Sequence, residues 1–189
     1  MSPIPFCIDE YAPSMPAMAH YFGLPNGAIQ ISITVFMLSL GLTQLIAGPI
    51  SDHFGRRKPL TISLFFVIIG SAMCMLSHSF SMLIIGRILQ GMGCSISNLT
   101  PIVIQADCLE PAEIVKVSAL FSLGYSLIPV VAPVLGGYIQ FYAGWRYNFG
   151  FLFGLILLIW LISIGFFKET LAVEQRRPIV LSQLWPQFK

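Results

Sequence analysis

The chain has 189 residues, of which 56% are hydrophobic and 10% charged, with a net charge of +2 at pH 7. Soluble domains carry about 25% charged residues, so this composition excludes an ordinary water-soluble domain. It also excludes nucleic acid as a partner, because nucleic-acid binding calls for a continuous basic face.

A membrane-spanning helix needs about 20 mostly apolar residues. Six segments approach or exceed that length: residues 4–22, 27–50, 60–77, 80–105, 117–141 and 147–167. A closed β-barrel would also satisfy its backbone in lipid, but its alternating segments are missing from these continuous apolar runs. The expected fold class is all-α and integral to the bilayer, a six-transmembrane-helix bundle over residues 1–168 with a polar tail at 169–189.

The first segment is the irregular one, with Pro3, Pro5, Pro13, Pro16 and the pair Asp9-Glu10 inside a single helix length. A carboxylate in a low-dielectric cavity can exchange its proton with water as its surroundings change, which makes Asp9 or Glu10 a candidate proton carrier. In the second segment Gln30, Thr34, Gly41, Gln44 and Gly48 recur at three- and four-residue multiples and share one helix face. Small and polar residues let membrane helices approach and hydrogen-bond, so this stripe is expected to point into the bundle.

The most charged turn follows, from Gly48 through Asp52 and Gly55 to Arg56, Arg57 and Lys58. Cations are retained on the cytoplasmic side of membranes. These three, Lys116, and Lys168, Arg176, Arg177 and Lys189 occupy alternate loops and the tail, leaving Arg146 on the other side and Arg87 inside a helix. Both chain ends are therefore expected in the cytoplasm.

In the fourth segment two neighbouring stripes, Gly86/Gln90/Gly93/Ser97 and Arg87/Gly91/Cys94/Asn98, make one broad small and polar face, expected to be a cavity wall. An arginine this deep in a span is by default paired with an acid or facing water, and Asp9 or Glu10 is its expected acid. The fifth segment carries Ser122, Ser126, Pro129, Pro133 and Gly136 and ends in Ala132-Pro133-Val-Leu-Gly136-Gly137. Prolines there free backbone carbonyls and bend the helix while glycines admit a neighbour, a composition suited to a hinge.

Cys7, Cys74, Cys94 and Cys108 form no C-x-x-C pair, and His20, His53 and His78 lack metal-ligand spacing, so neither a metal nor a cofactor is expected. No nucleophile-base pair or H-E-x-x-H is present, so the chain is not read as an enzyme.

The charged turn resembles the loop G-x-L-A-D-R-x-G-R-K-x-x-L of major facilitator superfamily transporters, with departures that include Ile50 and His53. Arg87-Ile-Leu-Gln90-Gly91-Met-Gly93 resembles the superfamily pattern R-x-x-Q-G-x-G, and Ala132-Pro133-Val-Leu-Gly136-Gly137 its antiporter motif G-P-x-x-G-G with Ala132 in place of glycine. Asp9-Glu10-Tyr11-Ala-Pro13-Ser-Met-Pro16 is similar to the acidic-Tyr-x-Pro-x-x-Pro stretch in the first helix of drug-resistance members. There it follows roughly a dozen more apolar residues, so the first helix is read here as cut short. Those relatives often place an arginine five residues before the aspartate that ends the fourth helix; Ile102, before Asp107, stands there here.

These four matches, in order, resemble the N-terminal half of a bicyclomycin/chloramphenicol-type (Bcr/CflA) drug:proton antiporter. The resemblance implies proton coupling through Asp9 and Arg87, a gating loop at Gly48, Asp52, Gly55, Arg56 and Arg57, and an antiporter motif at Pro133, Gly136 and Gly137. Gln30, Thr34, Gln44, Gln90, Gly91 and Asn98 are cavity or helix-packing residues in this reading. Its partners are the bilayer of a bacterial inner membrane, a proton, a drug-like small molecule, and either a missing C-terminal half or a second copy. Residues 169–189 then begin a linker between halves. The alternatives are a non-transporting remnant and a homodimeric half-transporter for a small metabolite.

Overall fold

The computed structural model describes residues 4–25, 27–167 and 169, and all regular secondary structure among them is helical. The first span comprises α1 (Ile4–Asp9), a 3-10 turn (Ala12–Ser14) and α2 (Met15–Phe22). Then come α3 (Gln30–Phe54), α4 (Arg57–Met75), α5 (Phe80–Cys108), α6 (Pro111–Tyr142) and α7 (Trp145–Phe166). These last five are long and apolar enough to cross a membrane.

The first span is a broken helix instead of the single one the apolar pattern predicts. Pro13 has no N–H to donate to the carbonyl of Asp9, and its ring crowds the turn before it. The backbone closes through the Ser14 N–H, which donates to the Tyr11 carbonyl at 2.8 Å. Two other helices begin earlier than expected, because a polar first turn is invisible to apolar periodicity. At α6, Pro111 opens the helix and Glu110 and Glu113 cap it reciprocally. At α4, Gly55 turns the chain with φ of +87°, and the Glu169 carboxylate accepts from the N–H groups of Arg56 at 2.7 Å and Arg57 at 3.3 Å. Apart from Glu169, the expected linker 169–189 lies outside the described residues.

α5 is the centre of the bundle, packed between α3 and α4, with α7 covering α4. Glycines bring these helices close. A Cβ on Gly91 would strike Ser39 Oγ and the Phe36 carbonyl of α3, and one on Gly93 the Ser63 carbonyl of α4. The broad face of α5 is therefore mostly buried helix contact, not the expected cavity wall; farther along the helix, at Ser97 and Asn98, it borders cavities.

The α3 stripe is a second correction. Gln30, Thr34 and Gly41 are exposed and Gln44 and Gly48 half-buried, and a Cβ on Gly41 or Gly48 would meet nothing within 4 Å. Ser32, Phe36 and Ser39 form the packed face, with Ser39 Oγ donating to the Ile88 carbonyl at 3.1 Å. The α5 glycine fixes this rotation, because it admits the α3 backbone along that line.

α6 stands apart. It touches α1, the 3-10 turn and α7, and leaves Leu120, Leu123, Leu127, Val130 and Val134 exposed.

Candidate functional site

Arg87 is fully buried on α5. Its guanidinium lies over the Tyr11 ring at 4.5 Å and the Phe36 ring at 4.6 Å, held between α3 and the break that follows α1. Desolvated cation–π contacts of this kind contribute about 2 kcal/mol each. Arg87 Nη1 donates to Gln90 Oε1 at 2.8 Å, and Gln90 Nε2 passes the chain to Ser71 Oγ on α4 at 2.9 Å. Tyr11 Oη in turn meets Ser32 Oγ at 3.0 Å. The expected ion pair with an acid is absent: among the described residues Arg87 has no carboxylate within 4.0 Å. Aromatic faces stand where the acid was expected, and Arg87 Nε and Nη2 have no hydrogen-bond partner among the described residues.

Of the two acids, Asp9 ends α1 half-buried, whereas Glu10 is 2% exposed with Oε1 unpartnered among the described residues. Glu10 lies at the break in the first span. Its carbonyl lies against Gly136 of α6, where any Cβ would collide with it. Just beyond, Asn148 Nδ2 of α7 donates to Ser14 Oγ at 2.7 Å and to the Gly136 carbonyl at 3.3 Å, tying three spans together. Gly137 has open space around it, and with Pro13 and Pro133 it lines a hollow of about 460 Å³. The antiporter-type motif thus divides: Gly136 seats the first span and Gly137 faces outward.

At the α3–α4 turn Arg56 is 5% exposed and joins α3 to α5. Its Nη1 donates to Asp52 Oδ1 at 2.6 Å and Ser51 Oγ at 3.0 Å, and its Nε to Asp107 Oδ2 of α5 at 3.0 Å. Burial works against this cation, but hydrogen bonds and charge from Asp52 and Asp107 outweigh it and hold its pKa above the ordinary arginine value. Arg57 Nη2 donates to the Ile164 carbonyl at 2.7 Å, joining the same loop to α7. Gly48 takes no part in this network; its expected place in the loop is a half-buried position on α3.

Between the C-terminal half of α5 and the N-terminal half of α6 a cleft of about 350 Å³ is lined by Asn98, Ile102, Gln105, Ser118, Ser122 and Tyr125, among others. It is mostly apolar, with Ser118 Oγ bonded to Gln105 Oε1 at 2.9 Å across it. Ile102 contributes an apolar side chain to this wall.

Sequence reasoning found Arg87, Gln90 and the Asp52–Arg56 pair. It missed Ser71, Ser32, Phe36, Asn148 and Glu169 as members of these networks. A serine inside an apolar helix carries no distinctive spacing, whereas Glu169, an acid next to Lys168 after the last apolar run, offered a signal.

A family model described as the Major Facilitator Superfamily matches residues 6–183. An uncharacterized MFS-type transporter, YdgK, of Bacillus subtilis is 36% identical over 177 residues, covering 92% of this chain and 44% of that protein. Multidrug resistance protein D of Escherichia coli is 26% identical over 172 residues, 91% of this chain and 44% of the relative. The human organic anion transporter MFSD10 shares the fold with a TM-score of 0.72 at 22% identity, over 92% of this chain and 42% of its own. The chain thus spans less than half the length of the relatives it matches. Its broken first span, glycine-packed α5 and charged α3–α4 turn are those of a multi-pass membrane protein, and the chain belongs to the Major Facilitator Superfamily.

Proposed function

We propose that the chain is the N-terminal six-helix half of a proton-coupled exporter of drug-like molecules, of the bicyclomycin/chloramphenicol type, in a bacterial cytoplasmic membrane. In this reading residues 1–168 form the half-bundle, 169–189 begin the linker to the second half, and both ends lie in the cytoplasm. The observation that carries it is a buried polar cluster at a break in the first span, flanked by helices whose outer faces have no partner among the described residues. Transport needs both features: a polar path that lipid cannot reach, and a surface on which a second half can rock. The relatives named as multidrug resistance proteins support the substrate class.

Within this reading, Gln30, Thr34, Gln44 and Gly48 of α3 face the second half and line the passage, and Asn98 borders it from α5. Arg56 locks the cytoplasmic ends of α3 and α5, and parting that lock opens the passage inward. Asp9 or Glu10 carries the proton, with Arg87 holding Tyr11, and so the break, in place.

Ethidium efflux from cells lacking their own exporters tests the proposal, with the chain expressed alone and together with the remaining half of the Bacillus relative. Protonophore-sensitive efflux with both halves is the expected result. Efflux from the chain alone would favour a second copy as the other half. No efflux in either arm, with both pieces inserted and associated, would leave a non-transporting remnant.

A further inference from the structure

Cys7 and Cys94 stand 87 residues apart in the chain and meet inside the bundle, one on α1 and the other on α5, with their sulfurs 3.6 Å apart. Both are buried, in an apolar cluster with Phe36, Leu64, Val67 and Leu152. Cys74 of α4 is buried as well, but its thiol meets the Leu83 carbonyl at 3.7 Å and Gln90 Oε1 at 3.9 Å instead of a second sulfur. Among the described residues no third histidine, cysteine or carboxylate completes a metal-binding group with the pair. Its chemistry is therefore that of two thiols in contact.

The pair also joins two parts of the molecule that are attached differently. α5 packs extensively on α3 and α4, and α4 on α7, whereas α1 packs chiefly on α6 and only slightly on α5. α1 is six residues long and is followed at once by the break in the first span. A short helix with few contacts to the core opens locally at low cost, and opening is what gives a reagent access to an otherwise inert buried thiol. Oxidation would then replace a slight α1–α5 contact with a covalent bond. The product suits its surroundings, because a disulfide is neutral and leaves no charge in the apolar cluster. Closing the sulfurs from 3.6 Å to a bond of about 2.05 Å is a small shift, which the short α1 can supply.

We propose that Cys7 and Cys94 are a modification site, oxidised by a lipid-soluble hydroperoxide to a disulfide that staples α1 to α5; the consequence for export rests on the transport reading above. One sulfur attacks the outer oxygen of the hydroperoxide, the O–O bond breaks, and the alcohol leaves with that thiol's proton, giving a sulfenic acid. The second sulfur attacks the first, the S–O bond breaks, and hydroxide leaves as water with the second thiol's proton. The two sulfurs lose two electrons in all, and these reduce the O–O bond. With α1 tied to α5 the break no longer moves against the core, and export stops. A dithiol reductant restores the pair by exchange, becoming a disulfide itself.

The test treats the chain in lipid vesicles with cumene hydroperoxide, digests it without reduction and reads the peptides by mass spectrometry. Amide exchange of residues 6–9 is followed alongside, as is ethidium efflux with the remaining half of the Bacillus relative present. A joined Cys7–Cys94 peptide, lighter by two hydrogens than its parts, is expected in the native chain and in Cys74→Ala, and is expected to be absent from Cys7→Ala and Cys94→Ala. On oxidation, exchange at residues 6–9 is expected to slow by more than about tenfold and efflux to fall by a similar factor, both recovering with dithiothreitol and neither changing in Cys94→Ala. Failure to form the joined peptide, in a sample where the exposed Val130→Cys has reacted to completion, overturns the site. A joined peptide with unchanged exchange overturns the staple, and slowed exchange with unchanged efflux overturns the arrest. A joined peptide and slowed exchange in an assembly that shows no efflux in either redox state keep the staple and remove the transport reading instead.

Discussion

α5 and α6 are both long, both carry internal proline and both are rich in glycine, yet 50% of the apolar stretch of α5 is buried and 6% of that of α6. The contrast separates two uses of the same residues. On α5 the glycines face backbones of α3 and α4 and serve to close the bundle. On α6 one glycine seats the first span and the next faces open space, so the helix is half attached and half offered. Glycine and proline content alone does not distinguish scaffold from moving part; the neighbour on each face does.

The sharpest break of this contrast is at Gly91. Gly91→Val places methyl groups against the Phe36 carbonyl and Ser39, and overpacking of this kind costs about 3 kcal/mol. A marked fall in the thermal midpoint of the detergent-solubilised chain is the expected outcome. Gly136→Ala forces the first span off α6 for about 2 kcal/mol, whereas Gly137→Ala, with nothing within 4 Å, leaves the midpoint within error. The paired glycines test the division of the motif directly, and equal effects at both would contradict it.

Arg56→Ala removes the cation that Asp52, Ser51 and Asp107 share, costing about 2 kcal/mol, and Arg56→Lys restores less than half because the guanidinium fork is lost. Glu169→Gln weakens the cap on α4 by about 1 kcal/mol, read as faster amide exchange at Arg56 and Arg57. The smallest effect belongs to α6. Val130→Ser, at 67% exposure, should change the stability of this chain by less than about 0.5 kcal/mol, while weakening its association with a second half.

Much of this was legible in the chain. Five spans, the charged turn, the local Asp52–Arg56 pair and the deep arginine follow from apolar runs and from the rarity of charge in lipid. The break at Glu10 and Tyr11 was announced by Pro13 and Pro16, though not its consequence, that Glu10 would be the enclosed acid. The partner of Arg87 was misread because sequence rules pair a buried cation with an anion, and the rings of Tyr11 and Phe36 look like ordinary core. The α3 stripe was misassigned for a related reason. Periodicity tells which residues share a face and not which neighbour that face meets, and in this chain the polar face of α3 is left open.

The direct test of α6 as a docking surface is cross-linking from single cysteines at Val130 and Leu127, with Ile68 in the buried contact of α4 as control. The chain is expressed with and without the remaining half of the Bacillus relative. Cross-links from both α6 positions to the second half, and their loss of labelling by a lipid-soluble maleimide when it is present, are the expected result, with Ile68→Cys unreactive in both cases. Undiminished labelling at Val130→Cys and Leu127→Cys with the second half bound would show that α6 faces lipid alone and would contradict the account.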